Sequence, residues 1–242
     1  MTVPAAGNAF VQWGIAHLVV LGLVVATPVL LSVFARRCSA SVTRAICLVF
    51  AILLVGNVAG HWICRLATVG VEEFLTRHLP LHICGITVFV LAAALVFRNE
   101  RAYEVAFFWG LAGTANALLT PQLEVGFPEY LFFHFFIGHG GIVAGVLFAT
   151  WGLRMRPTFA SLLRAYGWLA ALFAVLLVVN PLLGSNYMFL KEPPQSASPF
   201  FFAPWPYYIP VLAAVGFVFF CALLAPFKVA DWVRARRRQS DR

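Results

Sequence analysis

The chain has 242 residues, 62% of them hydrophobic and only 11% charged, with a formal net charge of +8. Soluble domains average about half apolar and a quarter charged residues, so this balance excludes an ordinary soluble enzyme and marks a polytopic membrane protein. The basic residues sit in short clusters between apolar runs, a distribution that suits anionic lipid headgroups rather than nucleic acid.

Apolar runs of about 17 to 25 residues with few charges are long enough to cross a bilayer. Seven are predicted, at 13–35, 45–64, 81–97, 104–120, 130–152, 163–182 and 207–227. No positive charge precedes the first, and Arg36 and Arg37 follow it, which is the pattern of a retained span and not of a cleaved signal. The loops then alternate in charge. Arg36, Arg37 and Arg44 follow the first helix, Arg98 and Arg101 the third, and Arg154, Arg156 and Arg164 the fifth; Lys228 and five arginines fill the tail. Only Arg65, Arg77 and Lys191 fall on the opposite side. Because basic residues are retained on the cytoplasmic face, the expected architecture is an all-α bundle of seven transmembrane helices. Its amino terminus is outside and its carboxyl terminus inside, in one membrane domain over 1–242 that ends in a basic cytoplasmic tail, 228–242. The longest irregular stretch, 184–206, is rich in aromatic residues and prolines and reads as a lid or binding element at the interface.

Placing each polar residue by the helical rise of 1.5 Å gives a one-sided pattern. His17 opens the first helix and Asn57 and His61 close the second. His78, His82 and Cys84 stand where the third begins, Asn116 and Thr120 where the fourth ends, His134 and His139 where the fifth begins, and Asn180 where the sixth ends. All six histidines thus gather in the outer half. Polar groups in lipid are costly when unpaired, so the cluster predicts a site. Within "GHGGIVAG", Gly138 and Gly140 flank His139 and are expected to leave room for a ligand, whereas Gly145 reads as a helix-packing residue.

Cys84 follows Pro80, a residue favoured in the first turn of a helix. A thiol near a helix amino terminus gains thiolate character, and a neighbouring imidazole would activate it as a nucleophile. Depth along the helices favours His134 over His139 as that imidazole. The five cysteines have no metal-ligand spacing, although Cys64 and Cys84 are both placed to pair with each other. A retinal Schiff base lacks its buried lysine, and no Asp or Glu is expected inside a span, which disfavours a zinc hydrolase or a carboxylate proton pump. Two further readings stay open: a non-enzymatic lipid-binding or transport protein, and a haem or metal carrier using His61, His134 and His139.

Three segments, "LPLHICGI" (79–86), "GFPEYLFFHFFIGHGGIV" (126–143) and "GSNYMFLKEPP" (184–194), resemble the YwaF-like bacterial integral membrane proteins. That family is similar to eukaryotic transmembrane protein 164, a cysteine-dependent acyltransferase that places polyunsaturated acyl chains on ether lysophospholipids. The resemblance implies Cys84 as nucleophile and His139 as its partner. It also implies membrane phospholipids and lysophospholipids as partners, with no cofactor, no metal ligands and a bacterial cytoplasmic membrane location. His82, Asn116, His134, Asn186 and Tyr187 are then the candidate substrate-binding residues.

Overall fold

The computed structural model describes residues 9–193 and 203–240. Its long elements are helices: α1 (Ile15–Ala35), α2 (Ala40–Arg77), α3 (Ile83–Phe97), α4 (Glu100–Trp109), α5 (Ala115–Leu119), α6 (Tyr130–Trp151), α7 (Phe159–Leu183) and α8 (Tyr208–Ser240). A π-helical turn, Gly110–Thr114, joins α4 and α5 into one rod, so the described residues form seven helical rods.

Five of these, α1, α2, α6, α7 and α8, are long and apolar enough to cross a membrane. The chain is an integral membrane protein. Its outward faces carry exposed Leu18, Val25, Leu30, Leu53, Leu177 and Val218, a density of apolar surface that calls for a lipid solvent. The other two predicted spans are built differently. With 15 residues, α3 is only about 22 Å long. The α4–α5 rod opens on Glu100, Arg101 and Glu104 and is interrupted by the π turn.

Two predicted helix ends also move outward. The helix expected to stop at residue 64 runs on to Arg77 as α2, with a sharp reversal at Gly70 (φ 80°, ψ 173°), a backbone region essentially reserved for glycine. The chain doubles back there. Trp62 and Phe74, about 18 Å apart along a straight helix, bring their ring centroids to 6.5 Å. At the other terminus, α8 has 33 residues, about 50 Å, so the segment expected as a tail continues the helix. Arg236 stacks on Trp232 there, and Asp231 pairs with Arg156 at 3.0 Å.

The centre of the bundle is α6. Half of its apolar window is buried, against about a fifth for the other four long helices. A Cβ on Gly140, Gly141 or Gly145 would press to within 2.7 to 2.9 Å of Val24 on α1, Leu54 on α2 or Leu91 on α3. These glycines let three helices close on α6 at once, and the space expected beside His139 at Gly140 is filled by Val24.

Candidate active site

The position of Cys84 follows from how short α3 is. Tyr103 of α4 and Thr150 of α6 bond to each other at 2.8 Å, which levels the starts and ends of these helices at one face of the bundle. Counted from that face along the helical rise, Cys84 lies about 20 Å in, Thr114 about 21 Å, His139 about 18 Å and His134 about 26 Å. The loop 78–82 dips into the bundle and α3 begins only at Ile83, so Cys84 is recessed to the level of His139. The depth reckoning that favoured His134 took the third helix to begin at the membrane edge, and the recessed start overturns it.

The Cys84 thiol and the His139 imidazole line the same cavity and interact with each other. The Nδ1 of His139 bonds to the Phe135 carbonyl at 3.0 Å. A carbonyl can only accept, so Nδ1 carries the proton and Nε2 is left as the acceptor that a general base needs. Phe135 also stacks on the ring, with centroids 4.2 Å apart, and fixes its plane. On the other side of the sulfur, the Thr114 hydroxyl donates to Sγ at 3.4 Å. Thr114 is fully buried and sits at the end of the π turn, a helical irregularity that recurs at functional sites because it re-aims side chains. The sequence reading passed over Thr114; the signal was a lone hydroxyl after two glycines in an apolar run, "GLAGT".

The start of α3 is clamped by the loop after α7. The Ile83 N–H, a free first-turn donor, bonds to the Met188 sulfur at 3.1 Å, and the Met188 N–H bonds to Nδ1 of His82 at 3.4 Å. Met188 and Phe189 both hold positive φ, 59° and 54°, an uncommon geometry for two successive non-glycine residues. Asn180 secures them by bonding to both the N–H and the carbonyl of Tyr187. The Tyr187 hydroxyl in turn donates to the Leu75 carbonyl and accepts from the Leu79 N–H. Asn186 is spent within its own loop, on Lys191 and Glu192. Neither Asn186 nor Tyr187 lines the cavity described next; both hold the loop that holds Cys84. Residues 194–202 of the expected lid lie outside the described residues.

Cys84 and His139 open on a cavity of about 780 Å³ whose wall includes His61, His78, His82, Asn116 and His134. Five of the six histidines therefore meet here. His17 does not: it is fully buried between the Trp13 N–H and the Leu118 carbonyl, where it ties α1 to α5. His134 bonds to Asn57 at 3.2 Å and stacks on His61 with centroids 3.9 Å apart. Flat stacking turns the nitrogens of that pair to the ring edges, not toward a shared point between them. Among the described residues no group of three or more His, Cys, Asp or Glu is arranged to hold a metal ion. All five cysteines are free, including Cys64 and Cys84.

One carboxylate does enter a predicted span. Glu104 on α4 has a side chain only 12% exposed and is gripped by Arg164 through two nitrogens, at 2.6 and 3.0 Å. It lies at the far end of the bundle from Cys84.

Comparison with known proteins gives a family match to the TMEM164 family over residues 12–224. The chain matches no curated protein and no solved structure.

Proposed function

The chain belongs to the TMEM164 family, and on that premise, together with the geometry above, we propose that it is a phospholipid acyltransferase or transacylase that works through a Cys84 thioester. The observation that carries the reading is the row Thr114, Cys84, His139 and Phe135 carbonyl, of which Cys84, Phe135 and His139 line the cavity and Thr114 is buried behind Cys84. It has the parts of an activated nucleophile: a thiol, a base with a free nitrogen, and a third group that fixes the base.

In the proposed reaction Nε2 of His139 takes the thiol proton as Sγ attacks the carbonyl carbon of a lipid ester. The tetrahedral intermediate collapses, the C–O bond breaks, and the departing lysophospholipid oxygen receives that proton from His139. In the second half, the hydroxyl of an acceptor lysophospholipid gives its proton to His139 and attacks the thioester carbonyl; the C–S bond breaks and the proton returns to sulfur. Cys84 and Gly85 lie in the first turn of α3, whose N–H groups have no partner within the helix, and they serve as donors to the oxyanion. The same helix end stabilises negative charge on sulfur, as does the Thr114 hydroxyl.

The distribution of basic residues supports seven spans with the amino terminus outside and the carboxyl terminus inside. The site then lies toward the extracytoplasmic side of a bacterial cytoplasmic membrane, where an ester lipid already in the bilayer is the acyl donor. A lipid-binding protein without catalysis would use the same cavity but would never form a bond to sulfur. Intact-protein mass spectrometry of protein incubated with phospholipid separates the two. An acyl-sized mass increment on the parent chain, absent from Cys84→Ala, is expected. A chain that stays unmodified while phospholipid occupies its cavity overturns catalysis.

A further inference from the structure

The reversal at Gly70 carries a second consequence. It brings the end of α2 back to the cavity, so that Arg77 and His78 line it together with His61, whose ring centroid is 5.9 Å from that of His78. Arg65 stands one helical turn beyond His61, on the same face of α2. From these placements we propose a phosphate subsite. Arg65 and Arg77, with His78 between them, hold the headgroup phosphodiester of the lipid whose ester reaches Cys84. This deepens the acyl-transfer reading and rests on it for the identity of the ligand.

Three observations support the subsite. Among the described residues no Asp or Glu lines the cavity, while Arg77 does. A concave wall with a guanidinium and no carboxylate focuses a positive field on whatever enters. Among the described residues, moreover, Arg65 and Arg77 form no ion pair, a state they share with most arginines of the chain, so their guanidiniums are not committed to a carboxylate. Guanidinium groups present fixed forks of donors suited to phosphate oxygens. Finally, the His78 imidazole is pushed below its usual range by burial and then by Arg65, with Glu73 opposing and Arg77 adding to it. Both guanidiniums thus act on the same ring.

Basic residues at a bilayer surface attract anionic headgroups in any case, so position is what the subsite claims. The phosphate is held within reach of Cys84 and not somewhere on the general surface. Its source is also distinguishable, since inorganic phosphate shares the chemistry but brings no acyl chain.

The test measures binding with catalysis switched off, in Cys84→Ser protein in a neutral detergent, by native mass spectrometry. Titration uses a lysophospholipid, a monoacylglycerol of the same chain length and inorganic phosphate. Replacing Arg65 and Arg77 together by Gln is expected to weaken lysophospholipid binding about tenfold or more and to leave the monoacylglycerol unaffected. Arg77→Lys, which keeps the charge and loses the fork, should fall between. Retained lysophospholipid affinity in the double variant, or an equal loss for the monoacylglycerol, overturns the subsite. Displacement of lysophospholipid by an equal concentration of inorganic phosphate overturns its assignment to a lipid. If Arg77→Gln and Arg77→Lys alone behave like the parent, the subsite fails even when the double variant cannot be purified. Failure of acyl transfer would look different: no adduct on Cys84 in the parent chain, with the phosphate preference intact.

Discussion

Two pairs of polar side chains sit on apolar helices at opposite ends of this bundle. Glu104 and Arg164 bond to each other through two nitrogens, with Arg101 adding a contact at 3.5 Å, so their charges are answered within the protein. Cys84 and His139 also stand together, but on the wall of a cavity that His61, His78, His82, Asn116 and His134 line as well. His61 even keeps a buried Nδ1 with no hydrogen-bond partner among the described residues. Saturated polar groups fasten helices together; unsaturated ones on a cavity are available to a ligand. The difference predicts that substitutions at the two ends separate stability from chemistry.

The largest effect is expected at the base. His139→Gln keeps a polar side chain but removes the proton acceptor for sulfur, and the rate of acyl-adduct formation should fall about a thousandfold. The melting temperature should stay close to that of the parent, because the ring's main partner is a single backbone carbonyl on its own helix. A variant that loses both together would make His139 part of the scaffold and erase the contrast between the ends.

Glu104→Gln tests the opposite end. It leaves Arg164 without its anion at a partly exposed site, and a stability loss of about 2 kcal/mol is expected, below the range for fully buried pairs because Arg164 is 38% exposed. Adduct formation per folded molecule should be unchanged. A drop in that normalised rate would show that the salt bridge also sets the cavity's geometry.

Gly70→Ala sharpens the comparison at the boundary of the site. A side chain is disfavoured at φ 80°, ψ 173°, by about 1 to 3 kcal/mol, although a Cβ there would meet open space. The penalty therefore falls on the reversal itself and not on packing. The segment 71–77 should swing away, with faster tryptic cleavage at Arg77 and weaker lysophospholipid binding, while the melting temperature moves little.

How far the sequence disclosed these two ends depends on which physical quantity was needed. Apolar length revealed the helices and the membrane, because burial in lipid is written residue by residue. The gathering of His61, His78, His82, His134 and His139 was legible as well, since each sits near a helix end. What composition could not carry was axial position within the bundle. That α3 begins at Ile83 depends on Met188 bonding to its first N–H, 105 residues away in sequence. The return at Gly70 is invisible to hydropathy, which sees only a helix losing its apolar residues. Glu104 was overlooked because its cost is offset by a residue on another helix. The "NYMF" run was legible as distinctive but not as a clamp, since its work is done through backbone groups and a thioether.

The finest separation lies within the site itself. Thr114→Val keeps the β-branch and volume of the side chain, and with them the packing of the π turn, and removes only the hydroxyl that donates to Sγ at 3.4 Å. One neutral hydrogen bond contributes about 1 kcal/mol, so adduct formation should slow by about tenfold at most, with unchanged stability. Thr114→Ser restores the donor and should restore most of the rate, which a purely steric role for Thr114 would not allow. If the Val variant reacts as fast as the parent, the π turn serves packing alone. Charge on the Cys84 sulfur would then rest on His139 and the start of α3, and the saturated and unsaturated ends of the bundle would differ by one fewer residue.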